Sequence, residues 1–459
     1  MKSLLHLCTR WLHTLGLLAT VMALISCGGA STVAGGVGSG GSGVAEGAVS
    51  GFGSVIVEGV TYGDGNATVV RAGESAIAEA KLGQRVRVEH ENNQASRITV
   101  WPQLIGSATT APNGQGDFQM LGQRVRIISA TNGALPPTVF DGLTQVQIGD
   151  ALEVHGSWSQ VSGQNVLMAS RIEKLTALPS TVLVTAPVLS RTGHTLVLDD
   201  NARTNVVVND VADSVQAGGL VSLWLDAGTL TSSPWVALRS LDARPQPASN
   251  QSLSLDAVVS VSDAGNARIR LQGLDIRLPA SVVSQLPVVG APVHVEARRQ
   301  GDEWVASSLS ATASDTAPAV QLKGSITWGS GTGTLAVRGT TVNLNSGQAL
   351  DASCAGISAG DEVYVTISAT RSAPGQPPQA TQVTCSGQIP ATSVQEASGT
   401  LVSASSDTVV VSVRGRNLSL NITSFSLLPA ALNTRIGRPV EIEYQQSGST
   451  YQLRKLKLD

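Results

Sequence analysis

The sequence predicts an all-β protein, a tandem array of six small five-stranded barrels, and three observations predict it. The composition favours strands and turns, with 48 glycines, 14% charged residues and 3% aromatic residues, and with valine, serine, threonine and leucine making up much of the rest. A chain of 459 residues is longer than one hydrophobic core organises, so several units are expected. A single pattern, a glycine followed by alternating apolar residues, recurs six times.

The six copies begin Gly83-Gln-Arg-Val86-Arg-Val88, Gly149-Asp-Ala-Leu152-Glu-Val154, Gly218-Gly-Leu-Val221-Ser-Leu223, Gly290-Ala-Pro-Val293-His-Val295, Gly360-Asp-Glu-Val363-Tyr-Val365 and Gly437-Arg-Pro-Val440-Glu-Ile442. Their glycines stand 66, 69, 72, 70 and 77 residues apart. Alternation of period two after a glycine reads as a turn opening a half-buried strand. A second alternating run follows each copy, as in Ala95-Ser-Arg-Ile98, Ala169-Ser-Arg-Ile172 and Ala237-Leu-Arg-Ser-Leu241. Upstream of each glycine lie two or three further strands and a short, weakly patterned connector, such as Leu427–Leu432, with room for one helical turn.

Three strands, a connector and two strands in about 70 residues fit a small closed barrel of the OB type, which removes sticky sheet edges. An immunoglobulin-like sandwich needs about 100 residues and seven strands. Proline-containing joints at Trp101-Pro102, Leu178-Pro179, Arg244–Pro247, Ser314–Pro318 and Gln388–Pro390 divide the units. The repeats then cover 47–102, 103–178, 179–247, 248–318, 319–390 and 391–459, strung as semi-stiff beads.

The start of the chain reads as an export signal. Lys2 and Arg10 form a positive flank, no acid precedes Glu46, and an interrupted apolar stretch runs from Trp11 to Ile25. That stretch is shorter than the roughly 20 apolar residues of a membrane span and has the size of a signal-peptide core. It ends in Leu24-Ile25-Ser26-Cys27-Gly28, which resembles the bacterial lipobox. By that resemblance 1–26 is removed and Cys27 is acylated, and Gly28 implies sorting to the outer membrane. The segment 27–46 reads as a tether, with nine glycines between Gly28 and Gly47. Its backbone entropy opposes folding, and it reaches about 25 Å as a coil.

The first two repeats resemble lipoproteins carrying domain of unknown function 5666. The resemblance rests on Gly51-Phe-Gly-Ser-Val-Ile-Val-Glu-Gly-Val-Thr-Tyr62, Phe118–Ile127, Gly149–Gly156 and Ala169–Ile172. Repeats three to six keep the strand pattern and glycine but lose most other signature residues. The resemblance implies a small β-barrel in the bacterial envelope and no activity.

Chemistry is sparse. His90, His155, His194 and His294 lie in different repeats at different offsets, so no repeated metal site is expected, and they read as ordinary surface or strand histidines. No Cys-x-x-Cys, His-x-x-x-His or Gly-x-Ser-x-Gly occurs, so no cofactor, metal or catalytic set is predicted. A formal net charge of −3, more acidic once the leader is removed, disfavours nucleic-acid binding, which needs phosphate neutralisation. The basic residues Arg414, Arg416, Arg435, Arg438, Arg454, Lys455 and Lys457 are read as a solvated face of the last repeat. Trp235 and Trp304 each precede Val-Ala in successive repeats. Each is a candidate for stacking on a sugar or base, with barrel core as the favoured reading. Cys354 and Cys385, both in the fifth repeat, are expected to form a disulfide in an oxidising compartment. The functional expectation is a structural or scaffolding envelope lipoprotein. A binding module for a surface polysaccharide or envelope protein is the alternative, and an enzyme with a site built between repeats is the most remote.

Overall fold

The repeat glycine sets the geometry of every unit. In all six copies its φ is positive, from +78° at Gly83 to +95° at Gly360, a region in which a Cβ is strained. It is the third residue of a tight turn, closed for example by Gln84 N–H to the Lys81 carbonyl and by Arg438 N–H to the Arg435 carbonyl, both 3.1 Å. The glycine N–H then donates to the middle of the first strand. The acceptors are the carbonyls of Val49, Ala108, Val188, Val259, Ile326 and Leu401 in turn, at 2.7 to 2.9 Å. Fourth strand and first strand are thereby stitched together six times.

In the computed structural model, which describes residues 42–458 apart from 53, 58–59, 75–78, 130–134, 201, 232, 283–285, 312–319, 329–332, 345–353, 355–358, 368–376, 386–393, 414–415, 423–431 and 448–449, each repeat follows one strand order. Repeat 5 is a closed barrel of Val320–Trp328, Thr334–Val337, Thr340–Leu344, Glu362–Ile367 and Gln379–Cys385, ordered first, second, third, fifth, fourth. Repeat 6 closes identically with Val394–Ala404, Thr408–Val413, Arg416–Asn421, Pro439–Ser447 and Thr450–Leu458. Third and fifth strands run parallel and the other neighbours antiparallel. This is the OB-like Greek-key barrel the sequence predicts. The expected connector appears in repeat 6 as a short 3-10 turn, Leu432–Arg435. No α-helix occurs among the described residues.

A second device recurs on the fifth strand, where each repeat has a one-residue bulge against the fourth. The extra residue is Ser96, Ser170, Leu238, Ser307, Thr381 and Arg454 in turn. A hydroxyl there caps a carbonyl exposed by the bulge. Ser96 Oγ donates to the Glu89 carbonyl at 3.1 Å, Ser307 Oγ to Glu296 at 3.2 Å and Thr381 Oγ1 to Thr366 at 3.0 Å. The recurrent Ala-Ser signature is the imprint of this bulge.

Two sequence expectations are corrected. The first strand of repeat 1 is Ser42–Phe52, so it begins inside the stretch read as tether, and Glu46 is buried. Pairing with Arg85–Glu91 on one side outweighs the entropy of its glycines. The repeats are also not beads. The first strand of repeat 1 pairs parallel with that of repeat 4, Ser252–Val258, with Gly43 opposite Ser252 and Glu46 opposite Leu255. The first strand of repeat 2, Leu104–Ser107, pairs antiparallel with that of repeat 3, Thr181–Thr192. Repeats 2 and 3 share one hydrophobic core with Ala72 and Trp101 of repeat 1, and repeats 1 and 5 share another with Val139 of repeat 2. Repeats 4 and 6 keep their own. The Trp101-Pro102 joint is buried, its indole Nε1–H donating to Ser222 Oγ at 3.2 Å.

Candidate functional site

The sheet shared by repeats 1 and 4 turns their interiors to opposite faces. The outer, polar face of one barrel therefore continues the inner face of the other, and charged side chains from several repeats meet in a buried seam. Glu46 sits at its centre. Its carboxylate accepts from Arg85 Nε at 3.0 Å and from Arg87 Nε at 2.9 Å, with Nη contacts of 2.9 and 2.7 Å. Burial alone would raise the Glu46 pKa. The two guanidinium groups more than offset that and hold it below the usual carboxylate value.

Arg85 extends the seam into repeats 2 and 4, donating to Ser157 Oγ at 2.9 Å and to the Asp256 carbonyl at 3.3 Å. Its backbone N–H donates to Nδ1 of the fully buried His155 at 3.2 Å. Nδ1 is thus the acceptor, and Nε2 carries the proton toward Glu153 Oε1 at 2.8 Å. Burial lowers the His155 pKa and keeps the ring neutral. Against its own burial, Glu153 is held down at about 2 by His155 and Arg71. Arg171, also fully buried, pairs with Asp141 and Glu173 and donates to the carbonyls of Leu82 in repeat 1 and Gly339 in repeat 5, at 3.1 and 3.2 Å. Lys81 reaches Glu173 at 2.7 Å.

On the repeat 4 side His294 lies between Asp256 (2.8 Å) and Glu296 (3.2 Å). Burial alone would lower its pKa. The two carboxylates reverse that and push it up to about 10, so it is a cation at neutral pH. His90 stacks on Tyr62 with ring centroids 4.9 Å apart, and its Nδ1 is buried without a partner among the described residues.

These are ion pairs and oriented histidines with their acceptors already engaged, a docking arrangement that fixes which surfaces meet. Among the described residues no group of three or more His, Cys, Asp or Glu could hold a metal ion. A small apolar cavity of about 80 Å³ lies where repeats 1, 2 and 4 join, lined in part by Val49, Val139, Met168 and Val258. A polar cleft of about 470 Å³ runs between Glu79 and the outer wall of repeat 5, lined by Lys323, Thr327, Arg338 and Glu362.

Of the residues singled out from sequence, Cys354 and Cys385 are joined in a disulfide with Cα atoms 5.0 Å apart. Trp304 is buried in the core of repeat 4, so its candidacy for stacking on a ligand is withdrawn: barrel closure covers the ring. Trp235 is half-buried against the core of repeats 2 and 3, with its indole N–H given to the Leu230 carbonyl at 3.1 Å. Cys27, with the leader and most of the tether, lies outside the described residues. The histidines were misread: His155 and His90 are buried, and His294 is part of a charged cluster. Sequence reasoning also missed Glu46, Arg85, Arg87, Glu153 and Arg171. They are the polar alternates of the repeat motif, which look like a solvated outer face until another barrel covers them.

No protein-family profile and no curated protein matches the chain. Solved structures similar to parts of it include apo-CusF residues 6–88 from Escherichia coli, 14% identical, covering 16% of this chain and 96% of that one, with a TM-score of 0.14. Drosophila Unr CSD456 is 13% identical and covers 46% of this chain and 98% of its own, at a TM-score of 0.12. A multidomain protein with nucleic acid binding domains from Streptococcus pneumoniae is 9% identical and covers 46% and 73%, at 0.13.

Proposed function

We propose that the chain is an exported, non-enzymatic lipoprotein, acylated at Cys27 and held at the bacterial outer membrane, where it acts as a structural scaffold. One observation carries the scaffold reading: the outer surface of repeat 1 is occupied by the other repeats. It meets repeat 2 through Lys81–Glu173, repeat 3 through Arg87 to the Ala243 carbonyl (2.9 Å) and repeat 4 through the shared sheet. It meets repeat 5 through Arg338–Asp64 (3.7 Å) and repeat 6 through Gln94 to Ser398 Oγ (2.9 Å). Barrels that use their faces on one another make a block with a fixed outline, as a scaffold requires. The Cys354–Cys385 bond supports export, since such bonds persist in oxidising compartments. The cleft beside Lys323 and Arg338 favours a second reading, a binding module for a surface polysaccharide or envelope protein, because its polar lining suits hydroxyl-rich ligands.

Fatty-acid labelling and membrane fractionation of wild type and Cys27→Ser test the anchor. Labelling that disappears in the variant, with release from the membrane, is expected, and unchanged labelling overturns it. Crosslinking in intact cells tests the scaffold. A stoichiometric complex with an envelope protein or polymer is expected, and recovery of free chain alone overturns it.

A further inference from the structure

The residue just before each repeat glycine stands at the outer corner of its turn, the second position of four. Polar residues are usual at such corners. Here the corner is Leu82, Ile148, Val289 and Ile436 in repeats 1, 2, 4 and 6. Ile148 is 69% exposed, Val289 43% and Ile436 55%, whereas Leu82 is 2% exposed. The difference lies in what covers the turn. In repeat 1 the turn is seated on the fifth strand of repeat 2, Gln164–Lys174. Ser170 Oγ donates to the Gly83 carbonyl at 2.7 Å, and Arg171 Nη1 to the Leu82 carbonyl at 3.1 Å. A Cβ on Gly83 would meet the Ser170 carbonyl at 2.8 Å, while nothing lies within 4 Å of one on Gly149, Gly290 or Gly437.

The seat has an exposed counterpart in repeat 3. Register places Leu238 at the bulge position held by Ser170 in repeat 2, with Arg239 in the place of Arg171. Leu238 breaks the small hydroxyl pattern of the bulge in repeats 1, 2, 4 and 5, and it is 59% exposed beside Val236 at 43%. One chain thus carries aliphatic corners and an apolar seat of the kind that join repeat 1 to repeat 2, both open.

We propose that these surfaces join two copies of this chain, a corner turn of one seated on the fifth strand of repeat 3, Trp235–Asp242, of the next. The contact pairs two different surfaces, so it is heterologous and propagates into a ring or a filament. The joint between repeats 1 and 2 of a single chain is the precedent for its geometry. The inference does not depend on membrane attachment.

Sedimentation velocity of the full mature chain carrying Cys27→Ser, free of any acyl group, should show mass increasing with concentration. Leu238→Asp should weaken association by about 10-fold or more, as should Ile148→Asp, Val289→Asp and Ile436→Asp combined, in the range of truncating an interface anchor. These side chains are exposed, so thermal unfolding should match wild type. A chain bearing Leu238→Cys mixed with one bearing Ile148→Cys, Val289→Cys or Ile436→Cys should form a crosslinked heterodimer in at least one pairing. A wild-type monomer at every concentration overturns the proposal, as does association that neither set weakens or the absence of a crosslink in all three pairings.

Discussion

Replacing the repeat glycine with alanine separates backbone strain from contact, because one position occurs six times in different surroundings. At Gly437 φ is +85° and no atom lies within 4 Å of an added Cβ. Gly437→Ala should therefore cost only the left-handed conformation, about 1–2 kcal/mol. At Gly83 φ is +78°, and the Cβ would also meet the Ser170 carbonyl at 2.8 Å and Val139 Cγ2 at 3.1 Å. A backbone oxygen in a paired strand cannot retreat alone, so repeat 2 must shift, adding about 1–3 kcal/mol of overpacking. Hydrogen exchange read by mass spectrometry on peptides of the two fourth strands, Arg85–Glu91 and Pro439–Ser447, measures both. Gly437→Ala should raise local opening in repeat 6 alone by about 5–30-fold, the factor that 1–2 kcal/mol represents, because repeat 6 has its own core. Gly83→Ala should raise opening more, in repeats 1 and 2 together. A neutral Gly437→Ala would refute the strain argument, and a Gly83→Ala no worse than Gly437→Ala would refute the docking argument.

Three further perturbations follow from the seam and the disulfide. Arg85→Met strands the buried Glu46 carboxylate and should destabilise by about 3–5 kcal/mol. Adding Glu46→Gln should restore most of it, and chemical denaturation of both variants checks this. Cys354→Ala with Cys385→Ala should cost roughly 3–4 kcal/mol through the freed loop, seen as earlier unfolding of repeat 5. Thiol counting on the denatured, unreduced mature protein should find neither of these two cysteines free. The seam also sets opposite pH limits. Glu153 falls from 4.5 to about 2 on folding, so its contribution is complete above 4.5 and is lost as pH drops toward 2. His294 rises from 6.5 to about 10, so its contribution is complete below 6.5 and is lost as pH climbs toward 10. In thermal melts across pH, Glu153→Gln should flatten the acid limb and His294→Gln the alkaline limb. Unchanged limbs would exclude these groups as the cause.

Local chemistry was legible in the sequence wherever it is set by the chain's own neighbours. Only glycine tolerates the left-handed turn before the fourth strand, so that residue recurs where the turn does. The strand alternation follows from one face of each barrel wall being buried, and the small residue of the Ala-Ser signature from the bulge it serves. Cys354 and Cys385 pair because strands of one small barrel bring them together. What one barrel does with another was not legible. Arg85, Arg171 and His155 alternate with apolar residues just as solvated outer-face residues do, and nothing local distinguishes a charge facing water from one facing a carboxylate in a repeat 70 or more residues away. Ser42–Glu46 reads as tether on composition, yet it folds because two strands flank it. Burial of a polar face depends on a complementary surface elsewhere in the chain, and only the tertiary structure brings the two together.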